Sequence, residues 1–98
     1  MSNTNNEINF FLEQDANGNS DTLLWTNKVA NVIVEGTWDG ATLTMQVQYQ
    51  SSGAWIPFMT FTENDFAIID NLLPGFNIRF NLADSGASTS ITVNMLKA

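Results

Sequence analysis

The chain contains no cysteine and no histidine. Without cysteine there is no disulfide framework and no thiolate metal site; without histidine the commonest metal ligand and the usual general base near neutral pH are both missing. Zinc fingers, Ser-His-Asp triads, Cys-His dyads and histidine-ligated haem are excluded by those two counts alone. Basic residues are scarce as well: Lys28, Arg79 and Lys97 stand against ten acids, for a formal net charge of -7. Three cations spread along the chain make no phosphate-binding patch, so neither nucleic acid nor an anionic membrane surface is an expected partner. Charged residues make up only 13% of the chain, and Asn, Thr, Ser and Gln supply the rest of its polarity. That balance is commoner in extracellular or particle-surface β proteins than in cytosolic enzymes. Long apolar runs are missing too: none approaches the roughly 20 residues that cross a bilayer. Met1 to Asn6 lacks the basic and apolar regions of a signal peptide, so no passage through a secretory membrane is expected.

What the sequence does have is alternation. Ala41, Leu43, Met45, Val47 and Tyr49 are apolar, and the interleaved Thr42, Thr44, Gln46, Gln48 and Gln50 are uncharged and polar. A period of two separates an apolar from a wet face only in an extended strand. The pattern returns in Phe76, Ile78, Phe80 and Leu82, and again in Ile91, Val93 and Met95. Ala30, Val32 and Val34 form one face of a further strand within 28–35, with Ile33 on the other. Turn signals every eight to twelve residues separate these runs. Asp39-Gly40 reads as a type I′ hairpin turn, and Gln50 to Ala54 as a looser hairpin loop. Leu73-Pro74-Gly75 reads as a type II turn. Pro57 cannot donate to a ladder, which places its strand at an edge or gives it a bulge.

These signals predict an all-β fold, an antiparallel sandwich or flattened barrel of jelly-roll or Ig-like type, occupying residues 23–98 as one domain. Residues 1–22 are expected as a flexible N-terminal arm and loop. Ile8-Asn9-Phe10-Phe11-Leu12 within it is either a first edge strand or a strap that docks on a neighbouring subunit. Thr62 to Leu73 stays open: Phe66, Ile69 and Leu73 have helical spacing, whereas Phe66 to Ile69 alone reads as a short strand.

Chemistry is harder to find. Asp15, Asn17, Asn19 and Asp21 have the spacing of a calcium loop, but Ser20 and Thr26 stand where an EF-hand needs Gly and Glu, so a loop held by Asx-turns is expected, without metal. The remaining acids sit in or beside turns, as solvated carboxylates do, and Ser88-Thr89-Ser90 has no base beside it. The chain is not read as an enzyme, and no catalytic, cofactor or metal residue is assigned. Trp25, Trp38 and Trp55 are read as core or subunit-interface residues before a sugar-stacking platform. Arg79, the only arginine, lies mid-strand on the polar face. It pairs either with a carboxylate across a subunit contact or with one on a neighbouring strand.

Four segments carry a resemblance: Gly36 to Leu43, Gly53 to Pro57, Leu73 to Arg79 and Gly86 to Ile91. In that order they give a strand and Gly-rich turn, a Trp entering the next strand, a Pro-Gly turn into an Arg-bearing strand, and a last Ser/Thr strand. Over about residues 29 to 95 the chain resembles small Asn/Thr-rich β proteins of tailed bacteriophages, encoded among virion structural genes. It departs from them at Ser51 and Ser52, where an acidic residue is usual before the Gly. The resemblance implies a capsid decoration or cement protein on the outer face of the shell. It further implies assembly in the host cytoplasm, a trimeric homo-oligomer and the major capsid protein as partner. The candidate interface is Ile8, Phe10, Phe11, Leu12, Trp25 and Arg79, and removal of residues 1–12 is expected to spare the fold. The alternative is a tail-fibre or adhesin-like carbohydrate-binding sandwich.

Overall fold

The computed structural model describes residues 7–97, and among these there are strands and connections but no helix. Nine strands follow one another: β1 (Glu7–Gln14), β2 (Gly18–Asn19), β3 (Leu23–Leu24), β4 (Ala30–Thr37), β5 (Thr42–Gln48), β6 (Trp55–Phe61), β7 (Asp65–Ile69), β8 (Asn77–Ala83) and β9 (Ser90–Lys97). One antiparallel sheet, sheet A, runs β1-β9-β4-β7; sheet B runs β2-β8-β5-β6, with β3 also on β8. β2 and β3 behave as one interrupted strand. Between them Ser20 donates its N–H to the Phe80 carbonyl, and its Oγ accepts the Phe80 N–H, both at 2.8 Å.

With β2 and β3 counted together, every connection except the β5–β6 hairpin carries the chain to the opposite sheet. That is the strand order of a jelly roll. It decides against the Ig-like arrangement, in which several sequential strands pair within one sheet. Parity sets the core. Val32 and Val34 of β4, Met45 of β5, Ile78 and Phe80 of β8, and Ile91 and Val93 of β9 are fully buried between the sheets, as their alternation requires. The result is a slab whose Cα extents are 39 × 36 × 19 Å.

Several expectations are corrected. Of the two forms expected for Ile8 to Leu12 the segment takes the first, an edge strand of the domain's own sheet, and residues 7–22 contribute β1 and β2. The arm expected over Met1 to Asn6 lies outside the described residues. Phe10 and Phe11, although adjacent, are both buried. A register shift between Asn9 and Phe11 inserts Phe10 as an extra residue, so both rings point inward where a regular strand would turn one out. Phe10 then packs across the sandwich on Phe80, ring centroids 4.8 Å apart.

Asp39-Gly40 does adopt positive φ at both residues, 46° and 85°, with Ala41 N–H donating to the Trp38 carbonyl at 2.8 Å. It joins no hairpin, however: β4 pairs with β7 and β9, while β5 pairs with β6 and β8. The turn is a corner between sheets, and neighbouring segments hold it there. The Asp39 carboxylate accepts the Ser88 N–H at 2.8 Å, and Thr89 Oγ1 donates to the Trp38 carbonyl at 2.9 Å. Just before the corner, Gly36 lies so close to β9 that a Cβ would overlap the Ser90 carbonyl oxygen.

Thr62 to Leu73 resolves to the strand reading, as β7 with its connections; the helical spacing of Phe66, Ile69 and Leu73 is coincidental. Tyr49 leaves the expected apolar face. β5 ends at Gln48, and the phenol sits outside against Phe76, 5.9 Å between centroids. Pro57 satisfies both halves of its expectation, since β6 is an edge strand and its register slips beside Pro57.

Candidate interaction face

The outer face of sheet B is built by register. Gln48 lies between Asn77 of β8 and Trp55 of β6, and one pair along, Gln46 lies between Arg79 and Pro57. Residues opposite one another on adjacent strands share a face, so these six side chains all project outward. Amide groups then lock one another. Asn77 Nδ2 donates to Gln48 Oε1 at 3.1 Å, and Gln48 Nε2 donates to the Gly53 carbonyl at 2.7 Å, tying the sheet to the β5–β6 loop.

Arg79 is held at two points. Its Nε–H donates to Gln46 Oε1 at 2.7 Å, and its guanidinium carbon lies 4.1 Å from the centroid of the Trp55 ring. Cation–π contact and one short hydrogen bond together restrict a side chain that otherwise has many rotamers. Gln46 and Trp55 are its partners among the described residues, and neither is a carboxylate. By parity Thr42, Thr44, Asn81 and Thr60 continue this face, and Asp21, in the break between β2 and β3, follows Ser20 on the Arg79 side of the sheet. The neighbouring-strand ion pair is absent among the described residues. Neither Nη group has a hydrogen-bond partner among the described residues.

The other candidate residues do not gather here. Trp25 is fully buried and Phe10 and Phe11 are core, so none of the three is available as a contact on this molecule. Ile8 is half-buried and Leu12 is 72% exposed, both on β1 of the other sheet. The three indoles are likewise dispersed. Trp25 Nε1 donates to the Leu72 carbonyl at 2.7 Å inside the core. Trp38 packs half-buried against the core, its Nε1 donating to Asn64 Oδ1 at 2.9 Å. One ring face of Trp55 is covered by Arg79. Sequence reading missed Gln46, Gln48 and Asn77, because amides on a polar face carry no signal until the register shows what they stand beside.

The loop spaced like a calcium site is used structurally. Asn17 Oδ1 accepts the Ser85 N–H at 2.9 Å and Asn19 Oδ1 accepts from Asn81 Nδ2 at 2.8 Å. Among the described residues no group of three or more His, Cys, Asp or Glu side chains lies close enough to hold a metal ion.

Asn64 is a second residue whose role only contacts reveal. Its Oδ1 accepts both the Gly36 N–H and the Trp38 Nε1–H, each at 2.9 Å, and so ties the β6–β7 loop to the β4–β5 corner. Asn64→Ala is expected to cost about 1–2 kcal/mol, since two donors lose their acceptor at a partly wet site. Asn64→Asp, which keeps both acceptor positions, is expected to cost less; equal urea midpoints for Asn64→Ala and the unsubstituted protein would contradict this. Comparison with protein-family models, with curated proteins and with solved structures finds no match to this chain.

Proposed function

We propose that this chain is a non-enzymatic virion structural protein of a tailed bacteriophage. In this reading it is a capsid decoration or cement protein whose outer sheet B face seats on the major capsid protein at the particle exterior. The observation that carries the reading is Arg79: the only arginine of an acidic chain, fixed by Gln46 and Trp55 rather than by a carboxylate. A pre-positioned guanidinium suits one bidentate contact with a partner carboxylate, surrounded by amide and threonine contacts of the kind flat protein interfaces use. The jelly-roll order adds support at the level of architecture, since it serves viral coats, but it serves lectins and cupins too. The resemblance over residues 29 to 95 supports the phage assignment. The sugar-binding alternative draws less support, because one indole is buried, one is hydrogen-bonded at the corner and one is covered on a face by Arg79.

The test is binding of purified protein to shells of the phage that encodes it, read by co-sedimentation. Arg79→Gln is expected to weaken binding by roughly 10- to 150-fold, the equivalent of one charged hydrogen-bonded contact of about 1.5–3 kcal/mol. Arg79→Lys is expected to recover little, because an ammonium lacks the planar fork. Unchanged binding by Arg79→Gln would remove the face from the interface, and absence of the protein from purified particles would end the virion reading. Quenching of Trp fluorescence by host glycans would favour the sugar-binding alternative.

A further inference from the structure

Asn17-Gly18 is the only asparagine-glycine pair in the chain. Glycine has no Cβ to shield its backbone nitrogen, so that nitrogen can close on the amide carbon of the residue before it. Every other asparagine is followed by a residue whose side chain crowds the same approach. Asp39-Gly40 offers the same backbone, but a carboxylate is a poorer electrophile than an amide, and this one is occupied by the Ser88 N–H.

The fold holds the Asn17 amide by one atom. Asn17 is exposed in the β1–β2 connection, and its Oδ1 accepts the Ser85 N–H at 2.9 Å. A backbone N–H can face only an oxygen, so the contact fixes which way the amide lies. It also sets a donor on the oxygen where negative charge gathers when the carbon is attacked. The Nδ2 group, which has to leave, has no hydrogen-bond partner among the described residues. Space around Gly18 is open: a Cβ there would meet nothing within 4 Å.

What restrains the reaction is β2. Ser20 donates its N–H to the Phe80 carbonyl, and two positions earlier the Gly18 N–H faces the Leu82 carbonyl by alternation. That ladder keeps the attacking nitrogen engaged. It is short, however: β2 has two residues and lies at the edge of sheet B. Elements of this kind open locally far more often than a whole domain unfolds.

We propose that Asn17 is a self-modification site, at which the folded chain converts its own asparagine to aspartate or isoaspartate beside β2. When β2 opens, the Gly18 nitrogen loses its proton to solvent hydroxide and forms a bond to Asn17 Cγ. The Cγ–Nδ2 bond breaks, Nδ2 takes a proton from water and leaves as ammonia, and a succinimide ring remains. Water then opens the ring. Cleavage between Cγ and the Gly18 nitrogen leaves aspartate; cleavage between the Asn17 carbonyl carbon and that nitrogen leaves isoaspartate, with the main chain running through Cγ. The sum is one water consumed and one ammonia released, with no change of oxidation state.

The two products act differently on the sheet. Aspartate keeps an oxygen for the Ser85 N–H. Isoaspartate lengthens the main chain by one methylene just before Gly18 and slips β2 against β8. Loss of ammonia is irreversible in water, so conversion accumulates with the age of the molecule and, in the isoaspartate form, loosens the margin of sheet B. It stands independently of what the sheet B face binds.

The full-length protein, held folded in mildly alkaline buffer, is expected to gain one mass unit, located by fragment-ion sequencing at Asn17 before any other asparagine. Asn17→Gln would need a larger, slower-forming ring and is expected to lose that first conversion with an unchanged circular dichroism spectrum. Ser20→Ala removes the Oγ that accepts the Phe80 N–H and is expected to speed conversion roughly 2- to 10-fold, the equivalent of one neutral hydrogen bond. Asn64→Ala, which weakens the domain away from β2, is expected to leave the rate unchanged. Asn17→Asp is expected to keep the original urea midpoint, and the separated isoaspartate form to fall below it. Earlier conversion of another asparagine, conversion in the urea-unfolded chain with none in the folded one, no response to Ser20→Ala, or equal acceleration by Ser20→Ala and Asn64→Ala would each overturn the proposal. An isoaspartate form as stable as the original would overturn the loosening of β2.

Discussion

Removal of residues 1–12 is expected to abolish cooperative folding. The truncation takes away most of β1, which pairs along β9 from Glu7–Leu96 to Gln14–Ile91, and with it two buried aromatic rings. Each lost Phe is worth about 3–5 kcal/mol by analogy with truncation to alanine. Two of them alone reach about 6–10 kcal/mol, against a total stability of about 5–15 kcal/mol for a domain of this kind. β9 would also become an edge, with an unpaired ladder on its freed side. The expected outcome is a chain without a sigmoidal urea transition and with a circular dichroism spectrum lacking the sheet minimum. A truncated protein that unfolds cooperatively near the full-length midpoint would restore the view of this segment as a separable strap. Loss of particle binding on truncation therefore reports folding first and contact second.

Trp25→Ala is expected to be the most damaging single substitution named here. Trp25 lies between β3 and β4 with no solvent exposure. Its backbone N–H donates to the Phe76 carbonyl and its carbonyl accepts the Gly75 N–H, both at 2.7 Å. Its indole reaches the Leu72 carbonyl from within. One residue thus fastens the β7–β8 connection over the end of the core. The cavity left by alanine costs about 3–5 kcal/mol, and an orphaned buried carbonyl adds about 1–3 kcal/mol. Trp25→Phe fills most of the space but cannot donate, and is expected to cost about 1–3 kcal/mol. Trp38 and Trp55 remain as fluorescent reporters of the urea transition. A Trp25→Ala protein within about 1 kcal/mol of the original would show that the indole is not part of the core, since surface changes fall in that range.

Strands were legible wherever one face is buried and the other wet. Residues 42–48, 77–83 and 90–97 alternate because a two-residue period and a two-sided sheet impose the same constraint. Position 57 was legible for a similar reason, since proline has no N–H to give. β7 was ambiguous because five residues sample too little of either period, and its outward Phe66 and Ile68 break the polar-out pattern that marks a strand. Phe10 and Phe11 were left open between strand and strap because a bulge suspends parity, and two adjacent aromatics read from a chain cannot announce it.

The candidate face was legible only at Arg79. A single arginine on an alternating polar strand is visible in the chain; the glutamine and indole that immobilise it are 33 and 24 positions away. Conformation at Asp39-Gly40 was likewise readable, because left-handed φ values are a local matter of sterics. Its role as a sheet-to-sheet corner was not.

What the order of residues settled was local: which stretches are extended, which side of each is apolar, where the chain must turn, and, through the missing histidine and cysteine, which chemistries are closed to it. Which strand lies beside which came from three-dimensional packing, and with it the jelly-roll order and the glutamine and indole that hold Arg79. The physical reason is range. Backbone sterics and side-chain parity act over two to four residues, whereas strand pairing is chosen by the burial of all apolar faces at once, and no short segment contains that sum.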